Sequence, residues 1–404
     1  MMYEGMRVSN RAVVMPESPI RKLAPYADEA KKRGIHIYHL NIGQPDIHTP
    51  PPIFEAIRNF SSKVLPYGPS QGLLDLRILI AEYFLRYDIA VDPQHVFITT
   101  GGSEAIIFTL MVTCDVGDEV LVPEPFYTNY NGFAEMAGVT IIPLPTTVLN
   151  GFRYPTRDEI EAKVTPRTKA ILVCSPNNPT GTVYTREEME TIVQVARKYN
   201  LFILSDEVYR EFVFDGKTHT SVLHLSGVED RAIIMDSISK RFSACGARVG
   251  FVISKNKAVM ESMLKLGQAR LCPPTIEQYG AIAGFKMLDS FMGEMRDEYE
   301  KRRDTVFEEL EKIEGFYAQK PEGAFYTVAR LPVTDAEEFT KWMLSDFHVG
   351  KKTTMVAPAN GFYATKGKGK DEVRIAFVLK REDLRDAIQI LKAGVEEYKR
   401  INQA

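Results

Sequence analysis

Cysteine is scarce: Cys114, Cys174, Cys245 and Cys272 are the only four in 404 residues. They lie far apart and form no CxxC pair, so neither a zinc site nor a disulfide framework is indicated, and no metal is expected. Cys114 and Cys174 lie in apolar runs and read as core thiols. Charge of one sign is also lacking. A net charge of −3 gives no electrostatic case for nucleic acid or an anionic membrane as partner. No apolar run approaches the length of a membrane span. The N-terminus lacks a basic region leading into an apolar run and cleavage site, so no signal peptide is read and a cytoplasmic location is expected. Internal repeats and low-complexity tracts are absent. What remains is an ordinary globular composition, 45% hydrophobic and 25% charged. A chain of this length exceeds one ordinary core, so two domains are expected.

One lysine organises the rest. Ala232–Met235 is a short apolar run that reads as a buried strand, and Asp236-Ser237-Ile238-Ser239-Lys240 follows at once. A lysine just past the carboxyl end of a buried strand can lose its proton readily and condense with an aldehyde. Arg248, eight residues on among small residues, can hold a dianion beside it. Lysine plus anion site suggests pyridoxal phosphate. A surface Lys-Arg pair is the plainer reading of this stretch taken alone.

In chain order, residues 1–17 lack clear periodicity and read as an arm. Ser18-Pro19 reads as a helix cap with proline at the first position, followed by an apolar face of Ile20, Leu23, Ala27 and Ala30 and a stop at Gly34. Strands are expected at 35–40, 96–99, 119–122, 169–174, 201–204 and 232–235. Helices are expected at 53–60, 72–87, 106–113 and 186–199. Gly101-Gly102-Ser103-Glu104 stands between a strand and a helix, an arrangement that offers backbone N–H groups and a positive dipole end to a phosphate. Short apolar strands alternating with helices indicate an α/β fold with a mostly parallel sheet buried on both faces. Ligands of such sheets bind outside the carboxyl ends of the strands. Gly102, Ser103, Tyr127, Asn178, Asp206, Tyr209 and Lys240 all fall there. Beyond about residue 285 a long helical pattern to Ile313 and a strand–helix–strand–helix series read as a separate α+β domain. Gly361–Lys370, rich in glycine and lysine, reads as a mobile, solvated loop.

Pyridoxal phosphate asks a protein for a lysine, an acid at the pyridine nitrogen, a phosphate cradle and a plane against the ring. Asp206 suits the nitrogen. Tyr209 and Asn178 suit the ring oxygen. Gly102, Ser103, Ser237 and Arg248 suit the phosphate, and Tyr127 the ring face. Lys240, once displaced by a substrate amine, can carry the proton that transamination moves.

The chain resembles the fold type I pyridoxal phosphate aminotransferases of class I/II, the aspartate aminotransferase family. The matching motifs are Asn41-Ile42-Gly43-Gln44-Pro45-Asp46, Tyr67-Gly68-Pro69 with Gly72 and Leu76-Arg77, Gly101-Gly102-Ser103-Glu104-Ala105, Asn177-Asn178-Pro179-Thr180-Gly181, Ser205-Asp206-Glu207-Val208-Tyr209, Ser237-Ile238-Ser239-Lys240 with Gly246 and Arg248-Val249-Gly250, and Arg374-Ile375-Ala376-Phe377. Together they span about residues 18–400. The resemblance implies a seven-stranded-type large domain over 46–285. It also implies a small α+β domain over 286–404, and an arm plus part of that small domain over 1–45. It makes Lys240 the Schiff-base lysine, with Asp206 and Tyr209 beside it as catalytic groups, and assigns the cofactor contacts as above. Tyr67 is implied to reach the phosphate of the other subunit's cofactor in a homodimer with shared sites. Arg374 is implied to clamp the substrate α-carboxylate, with Gly43 and Asn178 nearby and the segment at Ile20 closing over it.

The activity implied is amino acid:2-oxo acid transamination, with glutamate/2-oxoglutarate as one pair and aspartate as leading second donor. Aromatic and other donors stay open. Ser103 stands where one subgroup has a distal-carboxylate lysine. Arg270 lies near where some relatives place an arginine that reaches that carboxylate from the partner subunit, but the local spacing differs and an ordinary surface or interface arginine is the preferred reading. A pyridoxal phosphate C–S lyase or an aminocyclopropane-carboxylate synthase-like enzyme would share nearly all the cofactor residues. A non-catalytic regulator would need an appended DNA-binding domain, which is not seen. A Ser-x-x-Lys acyl-transfer enzyme would need Ser-Asp-Asn and Lys-Thr-Gly elements, which do not occur.

Overall fold

The structure, a computed structural model, describes residues 7–402; the first six residues of the expected arm lie outside the described residues. Within the arm, Asn10–Val14 forms one short helix capped by Ser9. The expected first long helix begins later than Pro19: a turn and a 3-10 segment, Arg21–Leu23, precede the α-helix Ala24–Lys32. Its predicted face is partly buried, with Leu23, Ala27 and Ala30 inside.

Strand β1 (His36–His39) follows Gly34, which has positive φ. Seven strands then build the central sheet: β2 (Val96–Thr100), β3 (Glu119–Glu124), β4 (Thr140–Pro145), β5 (Thr168–Cys174), β6 (Phe202–Asp206), β7 (Ala232–Ser237) and β8 (Val249–Ile253). Their spatial order is β2-β8-β7-β6-β5-β3-β4. All neighbours are parallel except β8, which runs against both β2 and β7. Two of these strands are not among those expected from the sequence. β4 carries two prolines, which an edge strand tolerates because its outer N–H groups have no partner. β8 begins within the turn-rich stretch that follows Lys240.

The unbroken apolar runs follow from burial on both faces. Successive side chains point to opposite sides of a strand. Ile203, Ala232 and Ile234 enter one apolar cluster, and Leu204, Ile233 and Met235 enter another. Helices cover both layers, so neither set of alternate positions tolerates charge. The register sets Cys174 beside Asp206 and Asp206 beside Met235, so the carboxyl ends of β5, β6 and β7 end together.

The remaining strands are β9 (Tyr326–Arg330), β10 (Lys352–Met355), β11 (Ala357–Pro358) and β12 (Glu372–Ala376). β9, β11 and β12 form an antiparallel sheet with β12 central, and β10 pairs in parallel with β1. The helical pattern read over 285–313 is the helix Leu288–Leu310, and a separate helix, Thr275–Lys286, ends just before it at Met287. The loop read over 361–370 is partly docked. The Ala364 and Thr365 N–H groups donate to buried Glu124, and the Tyr363 hydroxyl to Glu372.

Candidate active site

A cavity of about 600 Å³ opens at the carboxyl ends of β5–β7. It is within the range that binds small cofactors and substrates. Lys240, Asp206, Tyr209, Asn178, Tyr127, Gly102, Ser103, Ser237, Arg248, Gly43, Arg374 and Ile20 all line it. Tyr67 does not line it. Its side chain is 79% exposed in the single chain. Arg270 also lies apart, 3.2 Å from Glu104 and bonded to the carbonyls of Ser70 and Ile98.

Lys240 sits in the short helix Ile238–Arg241, directly after β7. Ser237 caps that helix by accepting from the Ser239 N–H, and donates to the Val249 carbonyl at 2.9 Å. The next residue, Arg241, is fully buried and pairs with Asp236 at 2.7 Å and with Glu211 at 2.5 Å. This pins the backbone under the lysine. Lys240 Nζ donates to the Gly43 carbonyl at 2.7 Å and stands 3.8 Å from Cys245 Sγ.

Asp206 ends β6 rather than following it. Burial pushes its carboxyl up to about 6, while hydrogen bonds from the Tyr130 hydroxyl and the Val208 N–H pull it down. Tyr130 is a site residue that the sequence does not announce. It stands three residues after Tyr127, in the first turn of the helix Asn129–Ala137, and nothing local marks its partner on β6. Tyr127 meets it edge-on, with ring centroids 5.5 Å apart. Burial raises the Tyr127 phenol to about 12, so it stays neutral.

The Tyr209 hydroxyl lies 2.9 Å from that of Tyr326, a second group not foreseen, which arrives on β9 and also donates to the Gly43 carbonyl. A Cβ on Gly43 would fall 1.7 Å from the Tyr326 oxygen, so only glycine fits this approach.

The phosphate-cradle residues converge. The helix over 101–113 begins at Gly101 itself, so Gly102 and Ser103 occupy its first turn rather than a loop before it. The first N–H groups of a helix have no intrahelical partner and carry its positive dipole end. Arg248 has left-handed backbone, φ 52°, and donates to the Cys245 carbonyl. A Cβ on Gly101 would reach within 2.4 Å of its guanidinium. Among the described residues, Arg248 has no acidic partner.

Arg374 lies on β12 and is 2% exposed. It donates to Asn178 Oδ1 at 3.1 Å and to the Asn41 carbonyl at 2.6 Å, and its buried Nε has no partner. Burial pulls its pKa down, and no carboxylate among the described residues balances its charge. A buried cation without an anion is costly, so this position favours an anionic ligand.

Arg248 and Arg374, without acids among the described residues, thus share one cavity with a buried carboxylate, an aromatic face and a lysine. This donor set fits the phosphate, ring nitrogen, ring face and aldehyde of pyridoxal phosphate, with Arg374 left for a second anion.

The family model described as aminotransferase class I and II matches residues 35–391. The chain is 35% identical to aromatic-amino-acid aminotransferase 2 of Thermococcus litoralis, over 98% of this chain and all of the relative. It is 30% identical to an aspartate aminotransferase of Bacillus subtilis, over 97% of this chain and all of that one. The fold is similar to that of aspartate aminotransferase from Thermotoga maritima, with a TM-score of 0.88 and 32% identity, covering 96% of this chain and all of the other.

Proposed function

The chain belongs to the aminotransferase class I and II family, a pyridoxal phosphate-dependent transaminase family, and from that premise we propose that it exchanges amino groups between amino acids and 2-oxo acids, with glutamate/2-oxoglutarate as one pair and aspartate as the leading second donor. The observation that carries this reading is the placement of Lys240, Asp206 and uncompensated Arg374 on one cavity. Relatives named for aspartate and for aromatic amino acids support both kinds of donor.

When bound, pyridoxal phosphate supplies an aldehyde for amines and a ring that takes up electrons from the substrate Cα. Gly102, Ser103, Ser237 and Arg248 would hold its phosphate, Asp206 its ring nitrogen, and Tyr209 and Asn178 its ring oxygen, with Tyr127 against its face. Asn178 Oδ1 is already taken by Arg374, so the amide nitrogen is the donor that Asn178 has left to offer. Arg374 binds the α-carboxylate that every substrate carries, with Gly43 and Asn178 beside it, and Ile20 covers the cavity. With the cofactor bound, Lys240 Nζ would take the proton from the substrate Cα when an amino acid reacts and would return one to that carbon when a 2-oxo acid is converted.

The division into a large domain over 46–285 and a small one formed by 286–404 with part of 1–45 belongs to this reading. The parallel pairing of β1 with β10 supports it. A homodimer in which Tyr67 completes the partner's site also belongs to this reading. The exposure of Tyr67 beside Val64 and Leu65 supports a covering surface there. A cytoplasmic role in amino acid biosynthesis completes the proposal. Four free thiols support a reducing compartment, and no helix among the described residues is long and apolar enough to cross a membrane.

A half-reaction titration tests the function. Single amino acids are added to the cofactor-loaded protein while its visible absorbance is followed. Loss of the band with aspartate and glutamate, and recovery with 2-oxoglutarate, is the expected result. Ammonia and pyruvate release from a sulfur amino acid without an oxo acid would move the chain to the lyases.

A further inference from the structure

Five basic side chains line the cavity: Arg21, Lys31, Lys240, Arg248 and Arg374. Lys31 has Asp28 at 3.8 Å, and Lys240 turns to the Gly43 carbonyl. The three arginines have no acidic partner among the described residues. The proposed function uses Arg248 for a phosphate and Arg374 for an α-carboxylate. Arg21 is left, and among the described residues its side chain has no hydrogen-bond or ion-pair partner at all.

The local structure holds the Arg21 backbone and leaves its head free. Its N–H donates to the Ser18 carbonyl at 3.0 Å. Leu23, two residues on, is 1% exposed and anchors the 3-10 turn in a cluster with Ala27, Ala30, Ile35 and Ile37. Lys22 points the other way and pairs with Glu337. Ile20 packs on the cluster that includes Phe362. Further along, Asp28 and Lys31 offset one another, and burial holds His39 toward its neutral form. The positive charge of this wall of the cavity is therefore that of Arg21.

We propose that Arg21 is a specificity-determining residue of this chain, binding the distal carboxylate of a four- or five-carbon dicarboxylic substrate whose α-carboxylate is held by Arg374. Three acid-free arginines then match three anions: the cofactor phosphate and the two carboxylates. A guanidinium suits this task because its planar fork bonds both oxygens of a carboxylate. Its place on the 20–23 turn, rather than on the sheet, lets the contact form as that segment closes. The inference rests on the aminotransferase reading above.

The test is calorimetric binding of three unreactive acids, succinate, propionate and 3-phenylpropionate, to the cofactor-loaded protein and to its Arg21→Gln and Arg21→Lys variants. The wild type is expected to favour succinate over propionate by about tenfold or more. Arg21→Gln should collapse that ratio to near one, and Arg21→Lys should restore part of it. A wild-type protein without the preference overturns the dicarboxylate reading together with the assignment. A preference that survives Arg21→Gln overturns the assignment alone and leaves the reading standing. A loss confined to 3-phenylpropionate also overturns it, because Arg21 would then be stacking on an aromatic ring.

Discussion

The Tyr130 hydroxyl donates a 2.6 Å hydrogen bond to the Asp206 carboxylate, and both groups are buried. Burial drives the Asp206 carboxyl up to about 6, and this bond is the largest influence holding it down. Tyr130→Phe should therefore move the Asp206 titration further up, by about one unit. Infrared difference titration of the cofactor-free protein, with Asp206→Asn as blank, reads the shift directly. An unmoved midpoint would mean that the Tyr130 bond does not favour the charged carboxylate.

The same burial makes Asp206 costly to the empty fold. A carboxyl whose folded pKa, about 6, exceeds its ordinary 3.8 contributes stability that is complete below 3.8 and is lost as pH rises through 6. A gap of about two units corresponds to about 3 kcal/mol. Cofactor-free Asp206→Asn should thus gain in thermal midpoint relative to wild type between pH 4 and pH 7. A bound cofactor's ring N–H, paired with the carboxylate, should shrink the difference. Parallel pH profiles for the two empty proteins would contradict this account.

Much of this site is legible in the sequence because parallel strands buried on both faces read as short apolar runs. Polar residues that end such runs, such as Asp206 after Leu204 and Ser237 after Met235, gather along one edge of the sheet. The rest depends on contacts between distant segments. Tyr326 meets Tyr209 across 117 positions, and Asn41 offers Arg374 its backbone carbonyl, which no residue type reveals. β4 is hidden by Pro143 and Pro145, which its edge position tolerates. Arg21 escapes because an arginine near a helix start is ordinary until the cavity is seen to include it.

Lys240→Ala should keep the fold, since among the described residues the lysine head donates only to the Gly43 carbonyl and toward Cys245 Sγ. Turnover should fall by about 10³-fold or more, the size expected for removing a positioned proton carrier. Protein passed through a desalting column with pyridoxal phosphate should retain little visible absorbance. Retained absorbance with retained turnover would remove Lys240 from the chemistry.

Tyr67 offers a test of the assembly. Its side chain is 79% exposed in the single chain, so a contact with cofactor requires a second subunit. Tyr67→Phe should weaken cofactor retention several-fold at concentrations where sedimentation shows a dimer, and have no effect once dilution yields monomers. A wild-type protein that sediments as a monomer at every concentration would refute the shared site.

Arg374 distinguishes what all substrates share from what sets them apart. Its guanidinium is buried, bonded to Asn178 and Asn41, and without an acid among the described residues, so an incoming carboxylate is its natural counter-ion. Removing one member of a buried charged contact costs about 2–4 kcal/mol, or about 30- to 1,000-fold in affinity. Arg374→Ala should raise KM by such a factor for amino acids and 2-oxo acids alike. Aspartate and an aromatic donor should be affected equally, because both carry the α-carboxylate. The kcat should change less, since Arg374 does not hold the proton that moves. Arg374→Lys should fall between, keeping the charge but losing the planar fork. A KM increase confined to dicarboxylates would instead place Arg374 at the distal carboxylate, and the roles given to Arg374 and Arg21 would then exchange.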